Sequence, residues 1–232
     1  MAATNTKTAG QLPRGRHNLA PEAVADSQRQ RIMQGMVDVV AERGFADARI
    51  ADVIELAGVS RKTYYELFED KEACFLATYE LWAGRMLAVT TEAFESEPDA
   101  PWPDRLRNGL GALLQFVADH PAAARCCIVE VMAAGPKALN RRDAAIRQFT
   151  HFLDLGRTES TVALPGITSL ALAGGVNELL YSEILHGAAA QLPGRLADLM
   201  YWLVQPYLGD ERAAIERKRT REGAEDTGSR AS

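Results

Sequence analysis

The chain has 232 residues, of which 47% are hydrophobic and 25% are charged, and its formal net charge is -5 at pH 7. This length predicts two modest domains rather than one large one, because single cores usually saturate at roughly 100 to 200 residues. The composition excludes a largely disordered protein, and the acidic balance argues against indiscriminate nucleic-acid binding while leaving room for a local basic face.

The cysteines and the apolar segments predict a reduced, cytoplasmic protein without a membrane span. Cys126 and Cys127 are adjacent and Cys74 is isolated, which fits neither a disulfide framework nor a zinc site. Residues 1–31 lack the apolar run of a secretory signal. The longest apolar tract, 164–176, is interrupted by proline, glycine and hydroxyl residues.

Residues 1–26 are predicted to be a flexible N-terminal arm, since they contain glycine and proline and show no helical periodicity. Residues 1–31 hold five cationic and two acidic residues, a local charge of +3. Arg14 and Arg16 could reach a DNA minor groove, which attracts arginine where it is narrow. The alternative is a solvated tail.

Two helices are predicted next. The first carries an apolar stripe between Ile32 and Val40 and ends at Gly44, which can take a positive φ. A second, shorter stripe at 50–57 is followed by Gly58.

Ser60 is placed to cap a third helix that runs to about Leu67. Asp70 can cap a long fourth helix, which the prolines between 98 and 103 separate from the rest of the chain. Residues 27–76 are therefore predicted to form the first domain.

The remaining chain also shows helical periodicity. Further helices are predicted at about residues 106–117, 121–135, 139–153, 169–186 and 192–208. No segment shows sustained period-two alternation, so the chain is predicted to be all-α. Residues 77–209 would form a second domain, and residues 210–232, rich in charged and small residues, a disordered tail.

The helix at 169–186 is apolar on more than one face, which suggests that a partner chain covers the surplus face. Gly174 and Gly175 would let two helices approach closely. A dimer is predicted to form through the helices at 169–186 and 192–208, with Val176 or Leu203 facing the partner.

Two short helices joined by a turn at Gly58, followed by a cation-rich helix start, predict a helix-turn-helix. The stretch "GFADARIADVIELAGVSRKTYYELFEDKEACF" resembles the DNA-binding domain of the tetracycline-repressor (TetR) family. The residues that carry the resemblance are Ala57 to Ser60, Thr63, Tyr65, Phe68, Lys71 and Glu72. Two positions depart from the family pattern: Arg49 stands where Thr is usual, and Ile54 where Ala is common.

The resemblance implies an all-α protein with an N-terminal three-helix DNA-binding domain and a C-terminal helical bundle for ligand binding and dimerisation. It implies a homodimer that binds a palindromic double-stranded DNA operator and an unidentified small-molecule effector. It implies no catalysis. The interrupted apolar tract predicts no membrane partner, and the scattered histidines show no metal-binding motif, so neither a metal nor a cofactor is predicted.

The DNA-contacting residues are predicted around the third helix: Arg49, Ser60, Arg61, Lys62, Thr63, Tyr64, Tyr65 and Lys71. Arg61 and Lys62 suit guanine edges or phosphates. Thr63 and Tyr64 could touch a thymine methyl or a sugar. Tyr65 resembles the family's phosphate ligand, and Lys71 adds charge at a helix start. The alternative is that the tyrosines are packed and the cations form a solvated face.

Candidate ligand-pocket residues lie in the second domain: Met86, Trp102, Phe116, Met132, Phe149, Phe152 and Glu178. An ordinary core stripe gives the same apolar pattern. Glu178 could instead make a partner-facing hydrogen bond. His151 and Asp154 could be a surface pair or metal ligands, and Cys126 with Cys127 could be core packing or a redox sensor.

The sequence thus predicts a DNA-binding transcriptional regulator, a repressor released by a small molecule. The alternative is a helical ligand-binding protein or enzyme whose helix-turn-helix no longer binds DNA. That alternative predicts loss of the basic residues, yet Arg61, Lys62, Tyr65 and Lys71 are present.

Overall fold

A computed structural model describes the backbone of residues 21–230 and the side chains of residues 22–223. Every regular element in these residues is helical, which confirms the all-α prediction. In chain order, α1 to α9 span Pro21–Asp47, Ile50–Ala57, Arg61–Leu67, Lys71–Glu95, Trp102–Asp119, Pro121–Ala124, Pro136–Asp154, Thr168–Leu185 and Leu196–Arg230. No helix among them combines the length and apolar character needed to cross a membrane.

The predicted N-terminal arm overlaps the described chain only at its end. Residues 1–20 lie outside the described residues, and residues 21–26, predicted to be part of the arm, form the first turns of α1. Pro21 at the start of α1 has no N–H to leave unsatisfied and suits a first helical turn.

Shorter helical turns connect the longer helices. A π-helical turn at Arg125–Val129 and a 3₁₀ turn at Glu130–Ala133 follow α6. Two more 3₁₀ turns, Leu155–Glu159 and Ala189–Arg195, precede α8 and α9.

The chain divides into two compact units whose border lies between Thr78 and Tyr79, inside α4. The first unit contains α1, α2, α3 and the first turns of α4. Its core is formed by fully buried apolar side chains of α1, α2 and α4, among them Ile32, Met36, Val53 and Phe75.

Two glycines shape the first unit as the sequence predicts. Gly44 (φ 80°) breaks the helical geometry near the end of α1, and Gly58 (φ 59°) ends α2 in the left-handed conformation. A side chain at either position would be strained, because residues with a Cβ rarely take positive φ. The Oγ of Ser60 accepts a hydrogen bond from the backbone N–H of Thr63, so the predicted cap of α3 is confirmed.

The second unit buries most of both apolar stripes of α8 against its own helices, including Leu172, Val176, Leu180 and Ile184. Leu179 is half-buried and lines a shallow outer groove. Val176 and Leu203 are only 9% and 2% exposed, so the prediction that they face a partner chain is wrong. A helix packed between several neighbours is apolar on most sides, which explains the surplus face without a second chain.

The predicted disordered tail, residues 210–232, is helical as far as Arg230, as the second part of α9. α9 bends at Gly209, where the backbone leaves helical geometry (φ 80°). Beyond the bend, Ala213 and Thr220 are buried. Arg107 of α5 binds Glu216 and donates to the Oγ1 of Thr220 at 2.9 Å. Polar partners on α5 therefore order a segment whose composition predicts disorder.

Candidate functional site

The exposed side of α3 in the first unit is the candidate nucleic-acid interface. Arg61, Lys62 and Tyr65 are all exposed there, and the Arg61 guanidinium carbon lies 5.7 Å from the centre of the Tyr65 ring. The ammonium of Lys62 is 3.7 Å from a carboxylate oxygen of Glu66, one turn further along. This pair is exposed and weak, so Lys62 can exchange it for a phosphate or a base.

Three more predicted DNA residues have defined surroundings near this face. Arg49 precedes α2 with its side chain 77% exposed, and its Nε is 3.7 Å from Asp52. The hydroxyl oxygens of Ser60 and Thr63 lie 2.9 Å apart. Ser60 thus helps to hold the first turn of α3, while Arg49 is free to reach a ligand.

The predicted contact of Tyr64 with a thymine methyl or sugar is wrong. Tyr64 is fully buried, and its hydroxyl donates to the backbone carbonyl of Asp70 at 3.1 Å. Burial raises the pKa of Tyr64 and, beside it, raises the pKa of the Cys74 thiol to about 12. Tyr64 therefore fixes α3 against the start of α4, and Tyr65 is the tyrosine presented to solvent.

Lys71, predicted to favour a phosphate at a helix start, has backbone partners in the structure. Its ammonium donates to the backbone carbonyls of Phe45, Ala46 and Ala48, at 2.8, 3.3 and 3.1 Å. It also lies 4.4 Å from the centre of the Phe45 ring. All three donors of a lysine are then used, so Lys71 stabilises the end of α1.

Arg29 and Arg31, counted in the basic N-terminal segment, also have structural partners. Arg31 donates to the carbonyl of Ala57 at the end of α2 at 3.0 Å. Arg29 lies over the Phe68 ring at 4.6 Å and within 3.5 Å of the Leu67 carbonyl. Cations at helix ends favour the negative pole of the helix dipole, so these charges hold the helices together.

Glu66 is an exposed residue of this face that the sequence reasoning did not consider. It is exposed on α3 beside Lys62. A carboxylate there can accept a hydrogen bond from the exocyclic amine of cytosine. The signal was its spacing of one turn from Lys62, which places both side chains on one face.

The second unit contains an apolar cavity of about 110 Å³. Its walls come from α4, α5, α7, α8, the π-helical turn and Leu203 of α9. Three predicted pocket residues line it: Met86, Phe149 and Phe152.

Two predicted aromatic pocket residues do not line the cavity. The indole N–H of Trp102 donates to the carbonyl of Phe152 at 2.8 Å, and its ring centre lies 4.9 Å from that of Tyr207. Phe116 is half-buried, and its ring centre lies 4.3 Å from that of His120, on which it stacks. Trp102 is buried, in agreement with the core-stripe alternative.

Met132 and Glu178 do not line the cavity either. Met132 follows the π-helical turn and is 48% exposed. Glu178 lies on the outer side of α8, in a shallow groove that Trp202 also lines. Helical periodicity in a sequence predicts which residues share one face of a helix. It does not predict which face lines a cavity.

Arg142 and Asn177 line the cavity and were missed. The sequence feature that could have indicated them is a polar residue within an otherwise apolar stripe. Arg142 stands one turn before Ala145 and Ile146 on α7, and Asn177 one turn before Leu180 on α8.

The remaining candidates show no ligand chemistry. Asp154 accepts from the Ser169 hydroxyl at 2.5 Å and from Arg157 at 2.9 Å. Burial opposes the effect of these bonds, which nonetheless lower the pKa of Asp154. Cys126 and Cys127 are both buried. Within the described residues, no three side chains of His, Cys, Asp or Glu come close enough to hold a metal ion.

Two short helices, a left-handed turn and an exposed basic face define a helix-turn-helix protein. Residues 32–78 match the family model "Bacterial regulatory proteins, tetR family". The chain is 26% identical over 195 residues to the HTH-type transcriptional regulator EthR of Mycolicibacterium smegmatis. The aligned region covers 83% of this chain and 86% of that protein. Residues 32–78 are thus a TetR-type DNA-binding domain, and the chain is a helix-turn-helix transcriptional regulator.

Two further comparisons agree with this assignment. The HTH-type transcriptional repressor AcnR of Corynebacterium diphtheriae is 27% identical over 150 residues, which are 59% of this chain and 71% of that protein. The solved structure of the transcriptional regulator FadR from Bacillus subtilis in complex with stearoyl-CoA superposes with a TM-score of 0.68 at 16% identity. It covers 76% of this chain and 98% of that chain, and it shows a shared fold.

Proposed function

We propose that the protein is a homodimeric, cytoplasmic repressor without enzymatic activity, which binds a palindromic operator through α3 and leaves it when a small molecule occupies the cavity. The observation that carries the DNA-binding part is the exposure of Arg61, Lys62 and Tyr65 on one short helix that Ser60 caps. In helix-turn-helix proteins, the second helix of the motif, which here is α3, enters the major groove of DNA.

The effector part is supported by the cavity in the second unit. Its lining is mostly apolar, as is usual for sites that take small organic molecules. Tyr79, Met86 and Phe94 of the lining belong to α4, which begins in the first unit. A ligand would therefore contact the helix that the two units share.

The homodimer is proposed to form through the outer faces of α8 and α9. Trp202 is 40% exposed there, beside Gly175 and Leu199 in the shallow groove. A Cβ on Gly175 would overlap the Trp202 ring, so the glycine lets this ring lie flat across α8.

The test begins with nuclease protection of genomic fragments bound by the protein, followed by affinity measurements on the protected fragment at several salt concentrations. Lys62→Met should weaken binding and reduce the slope of log affinity against log salt by about 0.9 for one lost phosphate contact. Lys218→Met is the matched control, since its exposed pair with Glu222 has the same spacing at 3.6 Å.

A protein that protects no fragment, or Lys62→Met with an unchanged salt slope and affinity, would contradict DNA binding through α3. The first result would favour the alternative, a helical ligand-binding protein or enzyme whose helix-turn-helix has lost its DNA role.

A further inference from the structure

The cavity of the second unit is long and has one polar end. On α4, the lining residues run from Tyr79 to Phe94, which are roughly 22 Å apart along the helix axis at 1.5 Å per residue. On α7, they run from Arg142 to Phe152 and Leu153.

Contacts between α4 and α7 align these two runs. The Phe94 and Phe152 ring centres lie 5.0 Å apart, which marks the apolar end. At the other end, the Nη1 of Arg141 lies 3.1 Å from the Oε1 of Glu80. Arg142 and Tyr79, which directly follow and precede these residues in the chain and both line the cavity, therefore mark its polar end.

Two polar groups of the lining lack a hydrogen-bond partner within the described residues. They are the Nε–H of Arg142 and the side-chain amide N–H of Asn177, and both nitrogen atoms are buried. The Nη1 of Arg142 donates to Asp143 at 3.2 Å, so one edge of the guanidinium is already satisfied. A buried donor without an acceptor costs about 1 to 3 kcal/mol, and a bound ligand with an acceptor would remove that cost.

The two donors stand at similar positions along the packed helices α7 and α8. Ser169 at the start of α8 binds Asp154 at the end of α7, and the two helices pack side by side. Counted from that bond, Asn177 is eight residues along α8 and Arg142 is twelve residues back along α7. The difference corresponds to about 6 Å of helix axis, so both donors belong to the same end of the cavity.

The charge of the cavity lining determines which kind of hydrogen-bond acceptor a ligand should carry. Arg142 is the one charged side chain among the described residues that line the cavity. Its other neighbour, Asp143, is 61% exposed and does not line it. A guanidinium in an apolar lining favours an anionic acceptor over a neutral one, because hydrogen bonds to charged groups are about twice as strong.

We propose that the ligand of this cavity is an aliphatic carboxylic acid, whose carboxylate binds Arg142 and Asn177 and whose chain extends toward Phe94 and Phe152. This inference rests on the proposed effector function of the same cavity. It adds the chemical class of the effector and the residues that select it.

The test uses isothermal titration calorimetry of the full chain with dodecanoic acid, dodecanol, methyl dodecanoate and dodecanoyl-CoA. Dodecanoic acid should bind at least about tenfold more tightly than the alcohol and the ester. Arg142→Gln should abolish that preference and leave the affinity for dodecanol unchanged. Arg147→Gln, an exposed arginine on the same helix, is the matched control.

Equal affinities for the acid, the alcohol and the ester in the unmodified protein would overturn the proposal without the need for any variant. So would a preference for the CoA thioester, or an acid preference that survives both Arg142→Gln and Asn177→Leu. Affinity for the protected DNA fragment is measured separately. If dodecanol releases that DNA as readily as the acid does, the proposed regulator function stands and the proposed role of the carboxylate is refuted.

Discussion

Tyr64 and Tyr65 are neighbours in the chain and have different roles. Tyr64 is fully buried and bound to the Asp70 carbonyl, whereas Tyr65 is 46% exposed beside Arg61. Successive residues of a helix point about 100° apart, so only one of the two can face the core. The proposed base and phosphate contacts are therefore assigned to Tyr65 and its exposed neighbours.

We expect Tyr65→Phe to weaken binding to all DNA sequences to a similar extent, because a phosphate contact positions the protein without reading bases. Arg61→Ala should instead relax sequence preference at one base pair, by about 1 to 3 kcal/mol for a bidentate contact. Binding to a panel of single-base operator variants measures both. Sequence-independent losses of equal size for the two variants would refute the division of roles.

Lys71 gives a second test at this scale. Lys71→Met should lower the free energy of unfolding by about 1 to 3 kcal/mol, because it leaves backbone carbonyls at the end of α1 without their donor. Urea unfolding of the variant measures the change. Lys62→Met is the comparison: it should keep full stability and lose DNA affinity. A Lys71 variant with normal stability and weakened DNA binding would restore the predicted phosphate contact.

The sequence could predict the elements of this face better than the direction of its side chains. Gly58 and Ser60 fix the turn and the cap through local chemistry, and both are found as predicted. The partner of Lys71 lies 26 residues away at the Phe45 carbonyl, a distance no local pattern encodes. For Tyr64 a signal did exist, since Phe68 follows it by one turn on the buried face.

At the scale of elements, the bend of α9 brings residues distant in sequence together. Arg217 and Arg221, beyond Gly209, donate to the same oxygen of Asp198 at 2.7 and 3.1 Å. The buried stripe of this segment contains Glu216 and Thr220 beside Ala213. Because two of these residues are polar, hydrophobic periodicity has little to detect, and the segment was predicted to be disordered.

Asp198 makes the stability of α9 depend on pH. The hydrogen bond from Arg217 lowers the pKa of Asp198 below its usual value. Since the folded pKa is the lower one, the stabilisation is complete above the unfolded value of about 3.9 and is lost as the pH falls through the folded value. Asp198→Asn should therefore destabilise the protein at neutral pH and not in strong acid.

The expected loss at neutral pH is below about 1 kcal/mol, because the carboxylate is half exposed and screened by solvent. Urea unfolding of both proteins at neutral pH and near pH 2 measures it. Glu211→Gln, which removes an exposed carboxylate from the same helix, controls for net charge. A difference that persists unchanged in acid would show that another interaction is responsible.

At the scale of the whole molecule, the sequence predicts the all-α class and the length of most helices. The apolar stripe of α5 is a good example, since Leu106, Leu110, Leu114 and Val117 are all buried. The sequence did not distinguish core from interface on α8, because both environments are apolar. It also could not place Arg142 and Asn177 in the cavity, since their positions depend on the packing of α7 against α8.

We expect Trp202→Glu to convert the proposed dimer to a monomer at micromolar concentration, because it would place a charge in the proposed apolar contact between copies. Light scattering measures the mass. Ile215→Glu, at a position 51% exposed beyond the bend of α9, is the matched control and should remain dimeric. A Trp202→Glu protein that remains dimeric with normal thermal stability would place the interface elsewhere.

The border between the two units lies inside a helix, and this has a consequence for proteolysis. Proteases cleave segments that can be drawn into an extended form, which are usually exposed loop tips. Thr78 and Tyr79 are instead buried in α4, at 0% and 5% exposure. Limited digestion should therefore cleave the exposed loop near Val162 before it can separate the first unit from the second.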